Sequence, residues 1–157
     1  MRTPTVAVLA LTLAACAAHN PIASVQEAAQ ELNVEARFGR TEIAMDRVAP
    51  AAREEYSAHH KAWGTNVRIA DVEVAGMNAK GDHDVDILVR VSWYRANESD
   101  LRLTTLKQSW HDKSGWRLVN EKRDDGDLGL LGEQVVFASP DEQRAPAQFP
   151  TVRLGAQ

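Results

Sequence analysis

The sequence predicts an α+β fold, with N-terminal helices packed on a curved four-stranded antiparallel sheet. Three observations point there. Up to about Gly64 the apolar residues recur three and four apart, the period of a helix buried along one face. From Asn66 they recur every second residue, the period of a strand buried on one side. The links between the alternating stretches, Asn78–Asp82, Ala96–Asp100 and Asp112–Gly115, are too short for crossovers and rich in turn-forming residues. Such short links join antiparallel neighbours into a meander.

Each element has its own signal. Ser24-Val25-Gln26-Glu27 reads as a capping box opening the first helix. Val25, Ala28, Ala29, Leu32 and Ala36 form its apolar stripe, and Gly39 ends it. A second short helix is expected from Thr41 to Val48, with Ile43, Ala44 and Val48 inward. Ala49-Pro50 breaks it, because the residue before proline avoids helical geometry. Pro50 then suits the first position of a third helix carrying Ala51, Tyr56, His59, His60 and Trp63, which stops at Gly64. Val67–Ala75 is the first strand. In the second, Val85, Ile87, Val89, Val91 and Trp93 alternate with Asp84, Asp86, Leu88, Arg90 and Ser92. The third, Leu101–His111, has Thr104, Leu106, Gln108 and Trp110 on one side and Leu103, Thr105, Lys107 and Ser109 on the other. Trp116–Arg123 is the fourth.

The two ends read differently. Arg2, the short apolar run Val6–Leu13 and the small residues Ala14 and Ala15 have the three parts of a bacterial secretion signal. The run is about half of the ~20 residues a spanning helix needs. Leu13-Ala14-Ala15-Cys16 resembles the lipobox of bacterial lipoproteins. That resemblance implies removal of residues 1–15, lipidation of Cys16, and attachment to a membrane through acyl chains such as palmitate. It places the protein in the bacterial cell envelope. Because Ala17 and not aspartate follows the cysteine, the periplasmic face of the outer membrane is favoured in a Gram-negative cell. Cys16 is the sole cysteine, so a disulfide framework is ruled out. Residues 16–23 are expected to be a tether, 24–123 the α+β domain, and 124–157 a Gly- and Pro-containing tail, partly disordered, in which Gln134–Ala138 could pack back.

Composition narrows the partners. The net charge is −4 with no basic stripe, which argues against nucleic acid. Electrostatic attachment to anionic lipid is disfavoured for the same reason. No phosphate-cradling glycine loop or nucleophile elbow is present, and no cofactor is expected.

The helices at the front, the bend at Gly64, and the final hairpin of Ser109-Trp110-His111 and Trp116-Arg117-Leu118 resemble the nuclear-transport-factor-like, cystatin-like cone. The likeness spans about Ser24 to Arg123. That superfamily holds isomerases, dehydratases, binding subunits and inert lipoproteins, so it implies a fold more than a function. Its enzymes use a buried aspartate or a His/Asp pair with tyrosine donors. Here the matching candidates are Tyr56, His60 and Asp71, with Glu73 as a substitute acid. Tyr56 and His60 share a helix face, four residues apart. A packed seam with hydrogen-bonded tips is the plainer reading of that spacing.

For a metal, Asp82, Asp84 and Asp86 lie two apart on one strand face and could hold a hard cation. That face is opposite the Val/Ile stripe, so a solvated charged surface is the plainer expectation. Asp124-Asp125-Gly126-Asp127 lacks the frame of a calcium loop. The reading favoured is a membrane-tethered, non-catalytic binding or assembly module, using a cone cavity or a sheet face to hold an apolar small molecule or an envelope protein. The alternative is a small cone-fold enzyme performing isomerase- or dehydratase-like proton transfer in that cavity.

Overall fold

A computed structural model describes residues 21–134. The signal segment, Cys16, the first part of the tether and the apolar stretch after Gln134 lie outside the described residues.

The first helix, α1, runs Pro21–Arg37. It starts three residues before the expected cap. Pro21 opens it, as its fixed φ and missing N–H allow, and Ser24 lies inside the first turn, not at the cap. Val25, Ala28, Ala29, Leu32 and Ala36 are buried as the spacing predicts, and Asn33 joins them. Gly39, at φ +72°, reverses the chain, and the amide of Arg40 bonds back to the carbonyl of Glu35 at 3.0 Å. The second helix, α2, is only Thr41–Ala44, followed by a 3₁₀ turn over Met45–Arg47. Ala44 and Val48 are buried, but Ile43 points outward, 54% exposed. A second 3₁₀ turn, Pro50–Ala52, leads into α3, Arg53–His60.

Gly39 and Gly64 explain how the helical layer closes. Both have positive φ, and a Cβ on Gly64 would sit 2.9 Å from the Cα of Gly39. Only two glycines let these backbones cross so closely.

The sheet is an antiparallel meander in the order β1-β2-β3-β4. The strands are β1 Val67–Ala79, β2 Asp84–Arg95, β3 Arg102–Asp112 and β4 Trp116–Gly126. Register shifts interrupt β1 between Ile69 and Asp71 and between Val74 and Gly76. The β3/β4 pairing slips twice as well. Such bulges bend a sheet and increase its twist, and this sheet curves around α1. Its inner face supplies Val85, Ile87, Val89, Val91, Trp93, Leu106 and Trp110 to one core with the helices. The edge of β4 is covered where Val48 bridges Leu118 and the amide of Ala49 donates to the carbonyl of Leu118 at 2.8 Å.

The domain does not stop at Arg123. After Gly126 the chain turns back, and Leu130 and Leu131 enter the core. The indole of Trp63 donates to the carbonyl of Leu130 at 3.0 Å. Glu133 accepts from the amides of Gly129 (3.1 Å) and Leu131 (2.9 Å). Asp127 caps the amide of Leu103 at 2.8 Å. The Gly-rich segment is therefore a built turn that closes the end of the core beside Trp63.

Candidate functional site

Two places combine accessibility or buried polarity with unusual chemistry. The first is a groove of about 310 Å³ between α1 and the edge strand β1. Val34 of α1 and Val72 and Val74 of β1 supply its apolar walls, and Gln26, Gln30 and Arg37 its polar ones. The groove follows from two sequence facts. Helix α1 carries alanines on much of its inner face, so it lies close to the sheet and its next face, with Val34 41% exposed, overhangs β1. The bulges in β1 then turn the strand beneath that overhang. Arg37 fixes one end: it donates to the carbonyl of Ala70 and pairs with Asp71 at 3.6 Å. An apolar slot with a few placed amide and guanidinium groups is the usual form of a small-molecule site.

The second place is a polar chain through the core. Asn33 of α1 bonds Gln108 of β3, whose Nε2 donates to Asn33 Oδ1 at 2.9 Å and to Glu121 Oε2 at 2.7 Å. Glu121 of β4 then meets His60 of α3, with Nε2 3.3 Å from Oε1. The His60 and Glu121 side chains are 1% and 2% exposed. Oε1 has no hydrogen-bond partner among the described residues, so the contact is not a hydrogen bond, and it is an ion pair only when the ring is doubly protonated. His60 Nδ1 lies 2.9 Å from the carbonyl of Tyr56. A carbonyl only accepts, so Nδ1 carries the proton. The imidazole also stacks on the Tyr56 ring at 3.9 Å and leans on Trp63 at 4.3 Å. Burial pushes the affinity of His60 for a second proton below that of an ordinary histidine, against the opposing charge of Glu121. Burial, with Glu121 beside it, also pushes the Tyr56 phenol well above its ordinary value.

The three candidate catalytic residues, Tyr56, His60 and Asp71, are thus only partly brought together. Tyr56 and His60 are together, but Asp71 is on β1, 67% exposed and paired with Arg37. Glu73 is also elsewhere, paired with Arg90 at 2.7 Å. The acid that stands with Tyr56 and His60 is Glu121. The free space beside it is a cavity of about 10 Å³, far below the ~300 Å³ at which small-molecule pockets begin.

The aspartates of the β1–β2 hairpin do not converge either. Asp86 is buried, contrary to the expected solvated face. Its Oδ2 lies 2.6 Å from Lys80 Nζ and 2.9 Å from Lys107 Nζ, and Ser109 donates to its Oδ1 at 2.8 Å. Burial alone would raise its pKa, but the two ammonium groups and the hydroxyl outweigh it and hold it at about 2. Asp84 pairs with His111 at 2.9 Å, and Asp82 is in the exposed turn. Among the described residues no group of three or more His, Cys, Asp and Glu side chains is placed to hold a metal ion.

No protein-family model matches the chain, and no curated protein matches it. Among solved structures, it is similar to the solution structure of a SEC-C motif containing protein from Rhodopseudomonas palustris. The two share 12% identity with a TM-score of 0.55, over 66% of this chain and 80% of that one. At that identity the likeness shows the fold alone: helices followed by an antiparallel four-stranded sheet.

Sequence reasoning missed Asn33, Gln108 and Glu121 as a connected set. The alternation puts Gln108 on the same side of β3 as Leu106 and Trp110, the side that the structure buries. Glu121 was hidden by parity: strict alternation from Trp116 and Leu118 puts Asn120 inside. Ser109 pairs with Asn120 and Trp110 with Leu118, so Val119 is an extra residue and the phase flips. The available signal was a buried-side glutamine opposite an acid, which needs a polar partner in the core.

Proposed function

We propose that the protein is a lipid-tethered component of the bacterial envelope whose α+β domain is a non-catalytic binding module. The carrying observation is the groove between α1 and β1. Val34, Val72 and Val74 form an apolar floor and overhang there, and Gln26, Gln30 and Arg37 offer directional polar contacts. These groups suit a small amphipathic molecule with an aliphatic or aromatic body and an amide or carboxylate end. The resemblance to the cystatin-like cone agrees with a helix-to-sheet ligand site. A proton-transfer enzyme is less well supported, because Tyr56 and His60 face a space too small for a substrate.

Attachment through Cys16 belongs to the same reading. It rests on the lipobox resemblance of Leu13-Ala14-Ala15-Cys16 and on the need for acyl chains where no basic surface draws the protein to lipid. Among the described residues no helix is long and apolar enough to cross a membrane. Two assays separate the parts. Labelled palmitate should enter the wild type and not Cys16→Ser; equal labelling would overturn the anchor. Octanoate should displace an environment-sensitive naphthylamine dye from the wild-type domain and not from Val34→Glu; failure of the dye to bind saturably would overturn the groove.

A further inference from the structure

Tyr56, His59 and Glu121 line one cavity, and each carries a buried polar atom without a hydrogen-bond partner among the described residues: Oη, Nδ1 and Oε1. The cavity has a volume of about 10 Å³, the room one water molecule occupies. It is separate from the groove, lying between α3 and β4, with Ala52 and Leu118 as its apolar walls and Glu55 and Asn120 completing the polar lining.

We infer that this cavity is a built site for a single water molecule that bridges Tyr56, His59 and Glu121. The hydrogen-bond inventory selects the ligand. The Tyr56 phenol keeps its proton, because burial disfavours the phenolate, so Oη must donate. Glu121 Oε1, as a carboxylate oxygen, can only accept. His59 Nε2 faces Glu55 Oε1 at 4.0 Å. That distance is too long for a hydrogen bond, so it does not fix the tautomer, and Nδ1 can take either role. The three groups thus present a donor, an acceptor and a ring nitrogen of either kind. A water accepts from Tyr56, donates to Glu121 and takes the complementary role towards His59. An ammonium or metal cation has no lone pair to offer, so it would leave the Tyr56 hydroxyl hydrogen without an acceptor.

The water completes the polar chain already traced through the core. Glu121 Oε2 is held by Gln108, and Oε1 gains its donor only through this molecule. Tyr56, stacked on His60, is tied to β4 by the same molecule, so α3 and β4 are joined across a wet contact.

The test is a crystal structure of the wild-type domain at atomic resolution, paired with Tyr56→Phe. The expected result is one peak at about 2.6–3.2 Å from Tyr56 Oη, His59 Nδ1 and Glu121 Oε1, absent or displaced in Tyr56→Phe while the protein fold is retained. Oxygen-17 relaxation in solution should count one fewer long-lived water in Tyr56→Phe. A direct bond from Tyr56 Oη to Glu121 with the cavity closed would overturn the inference. So would a peak with metal-like distances near 2.4 Å, or a relaxation count unchanged by Tyr56→Phe.

Discussion

At the scale of single residues, the most consequential choice is a glutamate in the core. His60→Ala empties a buried site stacked on Tyr56 and against Trp63, so it should destabilise by about 2–5 kcal/mol, measured by urea unfolding. Glu121→Leu should cost less, because it removes the buried acid together with its unpartnered oxygen. The pH dependence has a definite sign. His60 is held below the ordinary histidine value of 6.5, so the unfolded chain binds its proton first. Its contribution is full above that value and is lost as the pH falls through it. Unfolding free energy should decline on acidification below about pH 6.5, and this slope should be shallower in His60→Gln. Asp86 acts in a lower window. Held at about 2 against an ordinary 3.8, it stabilises above the ordinary value and loses that contribution as the pH falls towards 2. Asp86→Asn should remove that acid-limb loss and leave the neutral-pH slope unchanged.

At the scale of elements, the close crossing of Gly39 and Gly64 fixes how α1 and α3 meet β1. Gly64→Ala combines a positive φ with a 2.9 Å approach to Gly39 Cα, so it should cost about 1–3 kcal/mol, the range for a strained backbone position. The segment after β4 is tested by Leu130→Ala, which empties a fully buried site and should cost about 2–5 kcal/mol; an effect under 0.5 kcal/mol would mean the segment is not part of the core. Much of this level was legible in the sequence. The apolar stripe of α1, the alternation of β2 and the two sides of β3 are each stated by period, and the structure follows them. What periodicity could not state were the places where tertiary contact overrides it. The bulge at Val119 reverses the parity of β4, Ile43 leaves the core because α2 is a single turn, and Leu130 is drawn in by the Trp63 hydrogen bond from 67 residues away. Asp86 illustrates the same limit. Its alternation placed it correctly on the outer face, but Lys80 from the turn and Lys107 from β3 fold over it, and nothing local in the sequence announces that cover.

At the scale of the whole molecule, the arrangement separates rigidity from access. One end of the core is closed by Trp63 and Leu130, and its centre is pinned by the polar chain from Asn33 to His60. The groove beside β1 is open, walled by the exposed Val34 and by Val72 and Val74, which also pack against the core. The architecture therefore favours a preformed site on a stiff support, tethered to a membrane through Cys16 in the proposed reading. The most direct test is calorimetric and fluorescence titration of an apolar naphthylamine probe into the wild-type domain and into Val34→Glu, a substitution at a position 41% exposed. The account predicts saturable one-to-one binding to the wild type, weakened about tenfold or more, equivalent to 1.4 kcal/mol, in Val34→Glu, with the melting temperature unchanged. Equal binding by both proteins, or none by the wild type, would contradict it.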